Sequence, residues 1–297
     1  MCLKGVTMTA SRRNFKEDFL LFVMRNGISY TEKGRVVLFP EYALAVVPVF
    51  LEDFENGAVS PESLPQKVAP GMDILYLYED RWYNGSHIKE RILARLGRFD
   101  SLFARKCRVL ANASIKNNPR LKKRVGEFLE RNHSYGNAKC KYRYALEYGE
   151  EIVAAATFSS PRKILRKTLG GERVYNSYEW IRYASLPGCR VVGGMGRLLK
   201  AFVKEMRSTG LSDIEVMSYS DNEWSVGAAY TVLGFKKVAL RPPVEYYVDM
   251  TDYERLSERK LLKKEPSLKK FIETGISPVG YYKIKNRGST KFLLQLE

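Results

Sequence analysis

Apolar positions change period several times along the chain, and each change marks an element. Residues 12–26 (R-R-N-F-K-E-D-F-L-L-F-V-M-R-N) place Phe15, Phe19, Leu20 and Met24 roughly on one face of a helix, and Gly27 stops it. Residues 35–50 are almost continuously apolar and read as two buried strands with a turn at Pro40-Glu41. The stretch 53–70, rich in Pro, Ser, Gly and acid, reads as loop. A strand over 73–80 follows, then a helix over 86–97 with Ser86 as its N-cap and Gly97 at its end. Residues 142–148 alternate like a strand, 149–151 turn the chain, and 152–158 return. The basic segment 162–173, with its Gly-Gly pair, reads as loop. From 178 to 235 the pattern predicts a strand, a glycine turn opening a helix, a second strand, and a second helix ending at Leu233-Gly234-Phe235. Residues 236–250 would add a last strand or pair, broken at Pro242-Pro243. Residues 253–272 read as a charged helix, and 279–295 as a hairpin across Asn286-Arg287-Gly288. The order implies an α/β fold from about residue 126 to 250, a mostly antiparallel sheet with helices on it, preceded by a smaller α/β unit.

At 297 residues the chain accommodates one large domain or two ordinary ones. Its net charge of +17 shifts the picture toward a polyanionic partner, nucleic acid first. Positive residues concentrate in a run that includes Arg105, Lys106, Arg108, Lys122, Lys123 and Arg124. Such a run is either a solvated helix face or a track for a phosphate backbone. The four cysteines (Cys2, Cys107, Cys140, Cys189) form no CxxC pair and are joined by only two histidines, His87 and His133. A structural zinc site and a disulfide scaffold are both disfavoured, so no metal is expected and the setting is expected to be reducing, intracellular and cytoplasmic. No apolar h-region and no apolar run long enough for a membrane span is visible, so no membrane partner is expected. Oligomeric state is left open.

The candidate chemistry centres on the glycine turn. A glycine turn at a helix start offers backbone N–H groups to an anion, usually a phosphate. That makes Val191, Val192, Gly193, Gly194, Met195 and Gly196 a candidate site for a phosphate-bearing cofactor.

A hairpin, a long strand, a glycine turn into a helix, a strand, and a helix ending Y-x-x-L-G-F together resemble the GNAT acyltransferase fold. The pieces are Tyr178–Ser185, Arg190–Gly196, Ile214–Ser220 and Ala228–Phe235. The family's acyl-CoA loop has the form Q/R-x-x-G-x-G/A; counted from Arg190, Met195 stands where Gly or Ala is expected. The resemblance implies acetyl-CoA or another acyl donor. A narrower resemblance, spanning almost the whole chain, is to phage-encoded Hef-like homing-endonuclease proteins whose C-terminal half is similar to the Mom DNA-modification proteins. It is carried by I-L-Y-L-Y-E-D-R-W (74–82), F-A-R-K-C-R-V (103–109), F-L-E-R-N-H-S-Y-G (128–136), A-A-T-F-S-S-P-R (155–162), E-W-I-R-Y (179–183), V-V-G-G (191–194), M-S-Y-S-D-N-E-W (217–224) and G-Y-Y-K-I-K (280–285). The N-terminal half of that family is similar to Vsr-type nucleases, but the Asp expected within 35–50 is absent. Asp53, Glu55, Asp73, Glu79 and Asp80 are the acids available there, each equally readable as a surface or strand-end residue. The implied organisation is a degenerate Vsr-like module over 1–110, a GNAT/Mom-like transferase domain over 111–250, and an extension of helix and hairpin over 251–297.

The resemblance also implies site residues. Tyr230 matches the Tyr that serves many GNAT members as general acid, or packs on the sheet. Ser218 and Asp221 belong to S-Y-S-D, matching the S-Y-A-D of Mom-like proteins, where Asp221 would take a proton from an exocyclic amine, or cap a helix starting near Asn222. Arg182, charged on a central strand, calls for a partner, and Glu179 on the same face is its companion or a base. His133, in N-H-x-x-G, would touch substrate or titrate near neutrality, or simply be structural. Tyr135, Trp224 and Phe158 would stack on an extruded base, or be core. The leading expectation is a transferase that modifies a base amine of nucleic acid, DNA rather than RNA, encoded by a phage or mobile element. The alternatives are a DNA-binding homing-endonuclease-like protein with weak or lost nuclease activity, and an ordinary N-acetyltransferase acting on a small molecule or protein.

Overall fold

Helix α1 (Phe15–Arg25) is capped by Asn14, whose side chain accepts the Glu17 N–H, and it buries Phe15, Phe19 and Val23. Met24, expected on that face, is exposed instead. In this computed structural model, residues 14–55, 59–85, 87–168, 171–275 and 277–296 are described; Cys2, Ser86 and Gly170 lie outside them. The first sheet runs β1 (Thr31–Lys33), β2 (Val36–Phe39), β3 (Leu44–Val49) and β4 (Asp73–Tyr78), in that order, with β3 and β4 parallel. One short helix, α2 (Glu52–Glu55), interrupts the loop after β3. Helices α3 (Glu79–Asn84) and α4 (Ile88–Arg95) follow β4. α1, α4 and Trp82 cover one face of this sheet in an apolar cluster that also takes in Trp224 from far along the chain.

Strands β5 (Asp100–Phe103) and β6 (Arg108–Leu110) and helices α5 (Asn112–Lys116) and α6 (Pro119–Asn132) lead to the hairpin β7 (Tyr142–Tyr148) and β8 (Glu151–Phe158). The basic segment expected as loop is a strand, β9 (Arg162–Thr168), paired with the first half of the long β10 (Gly171–Ser185). Nearly all of this ribbon's outer end is exposed on both faces, so no alternation of apolar residues betrays it. β11 (Cys189–Val192) pairs in parallel with β5 and leads into α7 (Gly194–Ser208). β12 (Ile214–Asp221), α8 (Ala228–Val232) and β13 (Lys236–Arg241) follow.

After Pro242-Pro243 the chain makes β14 (Glu245–Asp249) and β15 (Arg255–Leu256). The expected single helix over 253–272 is broken by Pro266 into α9 (Glu258–Lys264) and α10 (Lys269–Glu273). β16 (Tyr281–Lys285) and β17 (Ser289–Leu296) do not form the expected hairpin. β16 pairs with β14, while β17 crosses into the large sheet between β12 and β13. The turn is pinned by Asn286, whose Oδ1 accepts the Val244 and Gly288 N–H groups at 2.7 and 3.0 Å. Gly288 has φ +68°, and a Cβ there would lie 2.2 Å from the Arg241 carbonyl oxygen.

The chain is therefore a mixed α/β protein with a mostly antiparallel large sheet flanked by helices. That sheet has eight strands, β13-β17-β12-β10-β8-β7-β6 with β9 on the side of β10. α7 packs Leu198, Leu199, Phe202 and Met206 on one face, against Tyr144, Phe158, Tyr178 and Trp180. α6 packs Val125, Phe128 and Leu129 on the other, against Ala145, Ala155 and Ala184. The far face of the first sheet packs on Val248 of β14 and Ile284 of β16, the second of which lies in the expected C-terminal extension.

Candidate active site

The central sheet forks. β10 and β12 pair in parallel only over Asn176–Glu179 and Ile214–Met217. Beyond this point β10 follows β8, with an irregularity between Trp180 and Arg182, while β12 stays with β17. The extra residue at such a bulge leaves the ladder and re-aims its neighbours. Ser218 sits at the fork, its hydroxyl donating to the Trp180 carbonyl at 3.0 Å and lying 2.8 Å from the Tyr230 hydroxyl. Tyr230, on α8, stacks on Phe292 of β17, with ring centroids 5.1 Å apart. Burial raises the Tyr230 phenol above its usual pKa, partly offset by the Ser218 hydrogen bond, so it keeps its proton at neutral pH.

A cavity of about 640 Å³ opens from the fork. It brings together Glu179, Arg182, Ser218, Asp221, Tyr230, His133, Tyr135, Trp224 and Met195 from segments far apart in sequence. Arg182 donates to the carbonyls of Gly136 and Ile181 at 3.0 and 2.9 Å. Burial lowers its pKa and Glu179 opposes that electrostatically. Tyr135 is 45% exposed, with Arg81 and Arg182 5.4 and 5.9 Å from its ring centre. Its hydroxyl donates to Asp221 Oδ2 at 3.1 Å, and Asp221 Oδ1 accepts the Glu223 N–H at 2.9 Å. Asp221 therefore caps a turn at 222–224; the next helix starts only at Ala228.

His133 does not titrate near neutrality. Burial beside Arg182 and Arg91 holds its pKa down to about 3, and its Nδ1 accepts the Tyr135 N–H at 3.1 Å. The ring is neutral, with its proton on Nε2. Trp224 borders the cavity but is only 7% exposed, and the Arg91 guanidinium lies 4.1 Å from its ring centre. Phe158 is core, stacked on Phe202 at 4.0 Å.

Of the glycine turn, only Met195 lines the same cavity. Gly193, with φ +76°, is the N-cap of α7 and offers no side-chain acceptor to the first-turn N–H groups. Gly194 is buried, and a Cβ there would stand 2.8 Å from the Tyr183 hydroxyl and 3.1 Å from the Val191 side chain. Met195 lines the cavity, Val191 is core, Val192 is exposed, and Gly196 faces a separate groove beside Leu233.

The basic run lies elsewhere. Arg105 and Lys106 are exposed on the turn after β5, and Lys122, Lys123 and Arg124 on α6. Arg108 pairs with Glu147, Lys123 lies 3.8 Å from Glu127, and Arg124 lies 4.0 Å from Glu147. None of them lines the cavity. The acids of the first sheet are engaged: Asp53 with Arg35, Asp73 with Arg95, Asp80 with Arg255, and Glu79 accepting the Leu51 N–H. Among the described residues no three His, Cys, Asp or Glu side chains are grouped to hold a metal.

Sequence reasoning missed Arg91, Arg241, Tyr246 and Asn286, all of which line the cavity, and the buried Arg255–Asp80–Glu223 cluster beneath it. Burial pushes the Glu223 carboxyl up to about 7 against the pull of Arg255, and its Oε2 has no hydrogen-bond partner. The only sequence signal was the charge of Arg91 beside Ile88 and Ile92, which form the buried face of α4.

No protein-family model and no curated protein matches the sequence. Among solved structures the chain is similar to the ribosomal-protein-S18-alanine N-acetyltransferase from Escherichia coli, with 13% identity over 64% of this chain and 94% of that one at a TM-score of 0.33. It is similar to Arabidopsis thaliana Naa50 in complex with the bisubstrate analogue CoA-Ac-MVNAL, with 12% identity over 64% and 99% at a TM-score of 0.34. It is also similar to yncA from Salmonella typhimurium, a structure with its cofactor acetyl-CoA, with 12% identity over 65% and 95% at 0.32. Among the described residues no helix is long and apolar enough to cross a membrane.

Proposed function

We propose that the protein transfers an acyl group from an acyl-CoA thioester to an amine held in the forked cleft, and that the amine belongs to a base of nucleic acid. The observation that carries the reading is the fork itself, with the Ser218–Tyr230 hydroxyl pair at its apex and the uncapped start of α7 beside it. The residues present fit an acyl-CoA. First-turn N–H groups of α7 face no side-chain acceptor, and Met195 of that turn lines the cavity. Bound there, the donor supplies an activated carbonyl.

The chain's own residues then have distinct tasks. Ser218 orients the Tyr230 hydroxyl, and Tyr230 gives its proton to the departing thiolate as the C–S bond breaks. Asp221, coupled to Tyr135, accepts the proton shed by the attacking nitrogen as the C–N bond forms. Arg182 lends positive charge next to the reacting centre, in a setting partly withdrawn from water. Tyr135 offers the exposed ring on which a base can stack, and the net charge of +17 favours a polyanionic acceptor.

The test is to incubate the protein with acetyl-CoA and a single-stranded oligonucleotide, following free thiol and the masses of the released nucleosides. A nucleoside heavier by the acyl group, absent with Tyr230→Phe, supports the reading. Thiol release without nucleoside modification moves the acceptor to a small molecule or protein. No thiol release with any of these acceptors overturns the transfer chemistry.

A further inference from the structure

A second cavity, of about 900 Å³, lies against the first, and Ser225 and Arg241 line both. One wall is the segment before and along β4, with Lys67 and Tyr76; the other is β13 and the turn before β17, with Lys237, Arg241 and Arg287. Arg287 is held in place by neutral groups. It donates to Gln66 Oε1 at 2.8 Å and to the Tyr76 hydroxyl at 3.2 Å, and lies 4.2 Å from the Tyr76 ring centre. Its Nε is buried with no partner.

The charge balance of this cavity is one-sided. Lys67, Lys237, Arg241 and Arg287 face it, and none makes an ion pair with a carboxylate among the described residues. The one acid in the lining, Asp73, is 3.0 Å from Arg95. Four cations without ion-pair partners around a concave surface attract an anion, and a guanidinium is a forked hydrogen-bond donor for its oxygens. Helix α7 with its glycine turn is not part of this lining, so the cavity is separate from the place assigned to the donor.

We propose that this cavity binds a phosphate ester of the acceptor, so that the acceptor spans both cavities, its amine at the fork and its phosphate on Arg287, Arg241, Lys67 and Lys237. This rests on the reading of the fork as an acceptor site. The source of the phosphate is a phosphodiester of a single strand, with the next base free to stack near Tyr76. A mononucleotide would offer the same chemistry.

Fluorescence anisotropy of a labelled single-stranded oligonucleotide of roughly 12 nucleotides tests the site without needing turnover. Lys67 and Lys237 are exposed, so Lys67→Glu/Lys237→Glu leaves the core untouched. Lys122→Glu/Lys123→Glu on α6 is the control of equal charge change. The cavity variant is expected to bind at least ~10-fold more weakly, with a salt slope shallower by about 1.4, the value for two lost phosphate contacts on a single strand. The control is expected to change affinity less than about twofold. Arg287→Gln, which keeps the hydrogen-bonding shape, is expected to weaken binding in the same direction. Competition by thymidine 5′-monophosphate at oligonucleotide-like concentrations supports the site and assigns its source to a mononucleotide; competition only by oligonucleotide assigns a strand. Equal loss in the cavity and control variants, or no loss in either, overturns the proposal. Thiol release from acetyl-CoA, measured alongside with any amine acceptor, reports separately on the transfer reading.

Discussion

Two sets of half-buried arginines lie within the same region and live differently. Arg255, 3% exposed, is clamped between Asp80 at 2.6 and 2.8 Å and Glu223 at 2.8 Å. Burial works against its charge, but the two carboxylates hold its pKa well above the ordinary value. Among the described residues Arg182 and Arg91, at the cavity wall, hydrogen-bond to neutral groups, the Gly136 and Ile181 carbonyls for one and the Ser134 hydroxyl for the other, while Glu179 acts on the first and Asp221 and Glu223 on the second only through space. Burial lowers the pKa of both. A guanidinium neutralised by two acids is finished; it ties β15, α3 and the turn after β12 into one body. A guanidinium held by carbonyls and a hydroxyl, with no carboxylate in direct contact, retains part of its field for whatever enters. The first kind builds the molecule and the second readies it for an anion.

Substitutions can break this contrast. The largest effect is expected for Arg255→Leu, which strands the buried Asp80 carboxylate without its counter-charge and should cost about 3–5 kcal/mol in denaturant unfolding. A loss under about 1 kcal/mol would mean the cluster is no keystone. Arg182→Ala should leave the unfolding midpoint nearly unchanged while lowering the turnover of modification by roughly 10²–10³-fold, with oligonucleotide affinity nearly unchanged. A collapse of affinity would move Arg182 from chemistry to binding. Ser218→Ala removes the partner that orients Tyr230 and should lower turnover about tenfold, while Ser218→Thr restores part of it; equal loss in both points to packing alone.

Smaller effects depend on pH. The Glu223 carboxyl is raised from an ordinary 4.5 to about 7, so the folded state holds its proton more tightly than the unfolded chain. Its contribution is full below pH 4.5 and is lost as pH rises through about 7. The stability difference between the protein and Glu223→Gln should therefore change over this window and flatten above it; a difference independent of pH would refute the raised value. His133 is shifted the other way, to about 3, so its imidazole resonances should stay in the neutral position from pH 8 to about pH 4. A titration near 6.5 would break the account of the cavity wall.

The fold class was legible because its carriers are periodic. Tyr142–Tyr148 and Glu151–Phe158 alternate or run apolar, and the glycine turn punctuates strand and helix. The ribbon of β9 escaped because its residues are exposed on both sides, so burial writes no period into them. The crossing of β17 escaped because Asn286-Arg287-Gly288 is good hairpin chemistry locally. Which sheet receives the next strand is decided by the Asn286 bond to Val244 and the close approach to Arg241, both remote in sequence. Ser218, Asp221, Arg182 and Tyr230, singled out through the resemblance of their segments, line one cavity. Arg91 and Arg255 were not, since a charged residue on a half-polar helix or tail looks solvated until tertiary packing encloses it. The basic run was conspicuous in sequence for the opposite reason: it is exposed, and partly spent on Glu147 and Glu127.

The placement of β17 has a consequence for how the chain acquires its shape. β12 ends at residue 221, yet the strand that flanks it from Asp221 to Ile214 is Ser289–Leu296. On a ribosome, β12 must wait with one edge open while the intervening residues are made. Closing such a distant pairing is slow, because the entropy of a long loop is lost before the contacts form. Until then Phe292 is missing from beneath Tyr230, and the fork has no floor. The Ser218–Tyr230 hydroxyl pair thus gains its Phe292 support only after β17 is made, so a chain stalled before β17 would carry the hairpin and α7 but an open fork.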